Sequence, residues 1–493
     1  MPDCCLSTET VTAVDSADKV PSVSSASGKT LVIVGGGSAA FAAALKAADL
    51  GARAVIINDG LPMGGTCVNV GCVPSKTLIR GAEALHRASH PPAFAGIATS
   101  GRLVSFKEVI EQKRALVQEL RQGKYADVIG DNEPITFIKG RARLLDAKTV
   151  VADALKLKAD AILIATGARP SVPSLAGLDT VNYLTNEAAF ELETLPESLL
   201  VFGGRYIALE CAQMFARFGS RVTILQRSDR ILPTESPDLT DALSGFLGDE
   251  GLEVVTGVNV QRVARDKHGV VVEARVQDKP RVFRAEQLLV ATGRTPNVED
   301  LGLESVRVKT SRHGGIAVDE TLQTSVSGIY AAGDVLGENM FVYAAAYEGS
   351  LAAENALTGA LRKRDYTALP WVIFTDPQVA GVGLDEKQAA AQGIDGDVAV
   401  LPLSHVPRSL AARDTRGFIK LIRDRQTDRL VGARVLAPEG SELLMEISLA
   451  IKFGIPVREL TACFHPYLTL SEGIKLAALS FHKDVKKLSC CAA

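Results

Sequence analysis

The residues best placed to do chemistry are Cys67 and Cys72, set in Gly64-Gly65-Thr66-Cys67-Val68-Asn69-Val70-Gly71-Cys72-Val73-Pro74-Ser75-Lys76. Four residues separate the two thiols, enough for one helical turn to bring both sulfurs together. Such a pair passes two electrons as a thiol–disulfide couple, or holds a soft cation. Two glycines ahead and a lysine behind are not what a buried structural pair needs, so the segment reads as a redox centre. A second pair ends the chain in Leu488-Ser489-Cys490-Cys491-Ala492-Ala493. Adjacent cysteines close only a strained bridge and have no core to fill at a chain end. They suit capture of a soft metal ion, which prefers thiolates. Cys4-Cys5 reads either as a third metal-catching pair or as an idle one. Cys211 and Cys463 are expected in the core. His86, His90, His268 and His313 show no ligand spacing and read as surface or packing residues.

Thiol redox chemistry needs an electron source, and two stretches of strand–turn–helix–strand grammar supply sites for one. Residues 31–34 form an apolar run that ends in Gly35-Gly36-Gly37, followed by an Ala-rich helix over 39–50 and a strand over 54–57. Gly35, Gly37 and Ala40 make the G-x-G-x-x-A pattern. The first glycine permits the tight turn, the second lets backbone approach a pyrophosphate, and the small third residue lets helix and strand pack. The helix N-terminus then offers N–H groups to phosphate. The ribose partner falls on Asn58 or on Asp59, where a Glu is usual.

The same grammar recurs from Gly203, with a strand over 199–202, a helix over 206–218 and a strand over 222–225. The ribose step here reaches Gln226, with Arg227 and Arg230 behind it, which suits a 2′-phosphate and so NADPH rather than NADH. Arg205 stands where the middle glycine belongs, where it either crowds the pyrophosphate or pairs with it. Residues 162–167 (ILIATG) and 288–293 (LLVATG) are two buried strands ending in Gly167 and Gly293, and they bracket an inserted second nucleotide unit. From about Tyr366 the pattern turns to strands followed by helices, a separate α+β domain. The fold class is thus α/β, two Rossmann-like dinucleotide units plus a C-terminal α+β domain.

The chain has 493 residues and a net charge of -3, which gives no reason to expect nucleic acid or an anionic membrane as partner. It has no apolar run long enough for membrane insertion, and its first residues lack the pattern of a signal peptide. Residues 1–28 read as a flexible leader, and the expected compartment is cytoplasmic.

With GGTCVNVGCVPSK, both ATG turns and Ala331-Ala332-Gly333-Asp334, the chain from Thr30 onward resembles the pyridine nucleotide-disulfide oxidoreductases. The resemblance implies FAD in the first unit, with residues 29–167 and 291–365 as its two parts and 291–365 central. It implies NADPH on 168–290, and dimerisation through 366–493. It implies that Gly65, Thr66, Thr166, Gly167, Gly293 and Asp334 lie at the cofactors. Cys72 is then the sulfur beside the flavin and Cys67 the interchange thiol. Lys76 and Glu210 match a flavin-side ion pair, and Tyr206 the ring that covers the nicotinamide pocket.

The tail together with the redox segment is similar to the mercury(II)-reducing members of the family. That implies a homodimer with shared active sites, in which Cys490 and Cys491 of one subunit pass Hg(II), taken from thiol complexes, to Cys67 and Cys72 of the other. It also implies Tyr125 and Tyr467 as phenols lining the path. His465 precedes Pro466 as in the disulfide-reducing members, but Glu472 falls two residues too far on to orient it. Two other readings stay open: reduction of a small disulfide with His465 as acid, and a non-catalytic mercury-binding protein.

Overall fold

The computed structural model describes residues 27–92 and 94–487, so Cys4, Cys5, Cys490 and Cys491 lie outside the described residues. The first unit is built on a five-stranded parallel sheet. Its strand Thr30–Val34 lies between Arg53–Asn58 and Ala161–Ile164, with Ile135–Lys139 and Ile329–Ala331 at the edges. Leu31, Val32, Ile33 and Val34 are all buried, as expected of a parallel strand covered on both faces. Helix Ser38–Asp49 is mostly alanine because helix Val342–Thr358 crosses it closely. A Cβ on Gly349 would stand 2.1 Å from the Ala39 carbonyl oxygen, so only glycine permits that crossing.

The second unit carries strands Glu253–Val255, Arg221–Leu225, Ser198–Phe202 and Gln287–Val290, in that order and all parallel. An antiparallel meander, Val258–Asp266, Gly269–Val276 and Lys279–Ala285, backs it. The residues that follow the two ATG phrases, Ala168–Pro170 and Arg294–Pro296, pair antiparallel, so the chain enters and leaves this unit side by side. The C-terminal part has a five-stranded antiparallel sheet running Pro370–Ile373, Gln378–Gly383, Arg429–Ala437, Phe418–Asp424, Gly396–Pro402. Helices Leu444–Lys452 and Glu472–Leu479 pack on it.

One apolar core joins three segments far apart in sequence. Leu78 from the helix after Cys72, Phe215 from the second nucleotide helix, and Ile373 and Val379 from the C-terminal sheet share it. Burial there holds the thiol pair, the second nucleotide turn and the C-terminal sheet in one rigid frame. Among the described residues no helix is long and apolar enough to cross a membrane.

Candidate active site

The thiol pair sits at a break between two helices rather than on one turn, which corrects the sequence expectation. Cys67 lies in the short helix Gly65–Asn69, and Cys72 opens helix Cys72–Ser89. Gly71 makes the break, with φ −124° and ψ −109°, and a Cβ there would meet the Thr66 oxygen at 2.9 Å. Asn69 pins the loop: its Nδ2 donates to the carbonyls of Pro62, Met63 and Gly65 at 3.1, 3.0 and 2.8 Å. Gly64 and Gly65 ahead of it hold φ of +90° and +60°, a region that glycine enters without strain.

Both cysteines are free thiols and half-buried. The hydrogen bond that Cys67 donates to Cys72 holds the Cys72 thiol below its ordinary pKa, and the Lys76 charge adds to that. The same bond, with burial, pushes Cys67 up. The first helical turn also favours an anionic sulfur at Cys72. When the pair gives up its first proton, it therefore gives it up from Cys72.

Lys76, one turn beyond Cys72, reaches across to the second nucleotide unit. Its Nζ lies 2.6 Å from Oε2 of Glu210 and 4.6 Å from the Phe374 ring centre. Glu210 is buried, and its other oxygen accepts the Phe374 backbone N–H at 2.9 Å. Tyr125, in the π-helical turn Gln122–Ala126, packs edge-on against Phe41 at 4.8 Å and lies beside Gly64. Its phenol is raised first by burial, and its ring at Gly64 borders the segment that carries the pair.

The first nucleotide turn is as tight as its glycines imply. A Cβ on Gly35 would stand 2.1 Å from the Ala165 oxygen, and Gly37 caps helix Ser38–Asp49 with no side chain over its N–H groups. Ala40 is fully buried under the helix. Asn58 faces this turn, its Cγ 2.6 Å from where a Gly36 Cβ would be, while Asp59 is exposed. Thr66 Oγ1 accepts from Arg294 Nη2 at 3.3 Å. Thr166 donates to the Asn297 carbonyl at 2.6 Å, and Gly167 and Gly293 turn with φ of +69° and +128°.

Asp334 is close to buried, and burial raises its carboxyl. Its nearest cation is Arg294 Nε at 3.7 Å, a buried donor with no partner of its own. An unpartnered buried donor, a half-buried carboxyl group and an uncapped helix end fit a dinucleotide with hydroxyls and phosphates. Arg294 and Glu348, whose Oε2 accepts the Gly333 N–H at 2.7 Å, were missed in the sequence. The position of Arg294 directly after the second ATG phrase was the available signal.

At the second turn Gly203 has φ +118°, and a Cβ there would meet the Ala291 oxygen at 2.4 Å. Arg205 caps helix Tyr206–Phe218 with φ −114°, an ordinary extended backbone, and its side chain is exposed. An arginine is tolerated because no left-handed turn is required. Arg227 is exposed and Arg230 half-buried, and among the described residues neither guanidinium forms a salt bridge, which suits an incoming phosphate. Tyr206 lies in a column of rings, 5.8 Å from Trp371 and 6.1 Å from Phe341.

The C-terminal candidates keep to their own part of this chain. His465 Nε2 lies 2.7 Å from Oε1 of Glu446, and its Nδ1 is 3.2 Å from the Cys463 carbonyl. Glu472 is engaged elsewhere, accepting the Leu468 N–H at 3.2 Å. Tyr467 is half exposed on the same segment. Cys211 is buried as expected, but Cys463 is exposed, contrary to expectation. It is the C-cap of helix Val457–Ala462, where the chain turns extended and away from the core, with Phe464 fully exposed beside it. His86 and His90 are one turn apart with rings stacked at 4.6 Å, so they do share a helix face. Among the described residues no three metal-ligating side chains gather.

Residues 29–349 match the family model described as pyridine nucleotide-disulphide oxidoreductase, and residues 369–478 match its dimerisation domain. The chain is 45% identical to a mercuric reductase of Staphylococcus aureus over 94% of this chain and 84% of that one. It is 44% identical to a mercuric reductase of Streptomyces lividans over 94% of this chain and 98% of that one. Among solved structures, LpdA from Mycobacterium tuberculosis superimposes with a TM-score of 0.81 at 29% identity, over 91% of this chain and 99% of that one. The HOCl-induced flavoprotein disulfide reductase RclA from Escherichia coli, as its Cu(II) complex, gives 0.79 at 30%, over 90% and 98%. With a thiol pair tied to one nucleotide turn and bordered by another, and with both models matched, the chain belongs to the pyridine nucleotide-disulphide oxidoreductase family.

Proposed function

We propose that the protein is an NADPH-dependent, FAD-containing reductase of Hg(II), acting as a cytoplasmic homodimer. The observation that carries it is the Cys67–Cys72 pair, with ionisation directed to Cys72, tied through Lys76 and Glu210 to the second nucleotide helix. The substrate is chosen by the relatives named mercuric reductase, 45% and 44% identical along nearly the whole chain.

FAD, when bound, supplies the two-electron link between NADPH and the thiol pair. Gly35, Gly37, Ala40, Asn58, Gly65, Thr66, Thr166, Gly167, Arg294 and Asp334 would hold it. Gly203, Arg227 and Arg230 would hold NADPH, and Gly293 closes the turn between the two units. Hg(II) arrives on small thiols, is caught by Cys490 and Cys491 of one subunit, and exchanges onto Cys67 and Cys72 of the other. Cys67, the interchange thiol, meets the incoming Hg(II), and Cys72 completes the exchange as the second sulfur. The Cys67 proton leaves with a departing thiol, so two S–Hg bonds form as two break. Two electrons then convert the bound Hg(II) to Hg(0) and leave two thiolates on the enzyme. Tyr125 and Tyr467 border the path, and a reducing cytosol keeps every thiol in it free.

The dimer is supported by an apolar stripe on helix Leu444–Lys452 and beyond. Met445, Leu449 and Phe453 are exposed there, with Phe464 and Leu468 close in sequence. Soluble proteins seldom leave such a patch uncovered. The test is Hg(II)-dependent NADPH oxidation in excess thiol by wild type, Cys72→Ala and the Cys490→Ala/Cys491→Ala double variant. Activity should be abolished in the first variant and should fall in the second; a small disulfide as the better oxidant would overturn the reading.

A second reading keeps one specific support. His465 holds a carboxylate partner after all, in Glu446 rather than Glu472. Slow reduction of a small disulfide that disappears in His465→Ala would establish it beside the main activity.

A further inference from the structure

Tyr206 is the first residue of the helix that follows the Gly203 turn. One turn on, Glu210 grips Lys76, which itself stands one turn beyond Cys72. A dinucleotide seated on the Gly203 turn and reaching toward the thiols therefore passes Tyr206. The Tyr206 ring is not loose at that point. Trp371 stacks on it at 5.8 Å with planes 10° apart, and Phe341 lies 6.1 Å away at 22°. Tyr343 extends the column, 5.5 Å from Phe341 at 6°, and its hydroxyl donates to the Pro370 carbonyl at 2.5 Å.

Trp371 is itself fixed from behind. The Arg434 guanidinium lies 5.4 Å from its ring centre, and Arg434 Nε is 2.6 Å from Oε2 of Glu235, both side chains being largely buried. Glu235 belongs to the loop that carries Arg227 and Arg230. A buried Arg–Glu pair with good geometry has one arrangement, so the indole has little freedom to swing aside. A tryptophan, an arginine and a glutamate from three distant segments thus stand one behind another at this ring.

We propose that Trp371 is a positioning residue for nucleotide entry: together with Phe341, it holds the Tyr206 ring across the route from the Gly203 turn to Cys72. Binding NADPH then requires the stack to open, and the C-terminal sheet tunes nucleotide affinity through Trp371. The inference rests on the NADPH reading above. A binding-competent state that is only partly populated weakens the observed affinity by that fraction. Aromatic pairs of this geometry correspond to about 2- to 10-fold in an equilibrium.

The experiment is rapid mixing of the flavin-loaded protein with NADPH, reading the rate of flavin reduction against nucleotide concentration. Trp371→Ala should lower the apparent Kd for NADPH about 2- to 10-fold and leave the limiting rate unchanged. Trp371→Phe, which keeps a stacking ring, should return to the wild-type Kd, a rescue that a merely space-filling role would not require. Phe341→Leu removes the other ring contact and should shift Kd in the same direction as the alanine variant; it decides the matter if Trp371→Ala does not fold. Equal Kd in all variants, or weaker binding in Trp371→Ala and Phe341→Leu, would overturn the proposal. A wild type whose flavin NADPH does not reduce would instead refute the nucleotide reading itself.

Discussion

Glu210→Ala removes one acceptor from two donors at once. Glu210 is 7% exposed, with Lys76 Nζ at 2.6 Å from one oxygen and the Phe374 N–H at 2.9 Å from the other. The alanine strands the Phe374 amide between helix Tyr206–Phe218 and the C-terminal strand, which costs about 1–3 kcal/mol. It also takes the counter-ion from Lys76, whose side chain is 34% exposed, so solvent screening limits that part to about 1 kcal/mol. The total is about 2–4 kcal/mol. Glu210→Gln keeps an acceptor for Phe374 and loses only the charge, so it should cost about 1 kcal/mol.

Urea unfolding followed by tryptophan fluorescence reads this locally, because Trp371 is the single tryptophan and stands three residues before Phe374. With a slope of about 2–3 kcal/mol per molar, the alanine midpoint should fall by about 1 M and the glutamine midpoint by less than half of that. Flavin release serves as the second reporter. Alanine and glutamine variants that unfold together with wild type would refute the claim that Glu210 ties the thiol helix, the nucleotide helix and the C-terminal strand.

Three further outcomes are expected. The Cys72 thiol is depressed by the hydrogen bond from Cys67, so its stabilisation is present above the ordinary thiol range and is lost as pH falls through its folded pKa. Iodoacetamide should therefore alkylate Cys72 at lower pH than an ordinary thiol, and Cys67→Ala should move the rate profile to higher pH; an unmoved profile contradicts the assignment. Replacing Arg227 and Arg230 together by alanine should weaken NADPH binding about 10- to 100-fold and leave NADH binding nearly unchanged, since each charged hydrogen bond to phosphate contributes about 1.5–3 kcal/mol before screening. Equal loss for both nucleotides would place the 2′-phosphate elsewhere. Phe453→Glu, on the exposed stripe, should shift the protein toward monomer in sedimentation velocity, and an unchanged mass would move the dimer contact to another face.

What the sequence revealed is what short-range patterns encode. The strand before Gly35, the helix after it and the repeat at Gly203 were legible because apolar spacing and glycine placement are local signals. The helix Tyr206–Phe218 has the same limits in sequence reading and structure. The break at Gly71 was not legible, because a glycine between two helical stretches has the same composition as one inside a turn. Nor was the Glu210 anchor on Phe374, whose partners lie 164 residues apart. Cys463 was misjudged because residue type speaks for burial only on average, and a C-cap turns its side chain outward when the following chain leaves the core. The column through Trp371, Tyr206 and Phe341 draws on three distant segments, so nothing local announced it.

The central claim is that Cys67 and Cys72 reduce Hg(II) with electrons from NADPH. The most direct test follows NADPH consumption by purified, FAD-loaded protein given Hg(II) in excess small thiol, alongside mercury vapour trapped from the same vessel. One Hg(0) should appear per NADPH oxidised, and Cys72→Ala should abolish both signals. NADPH consumption with no mercury vapour, or consumption that persists in Cys72→Ala, would contradict the account.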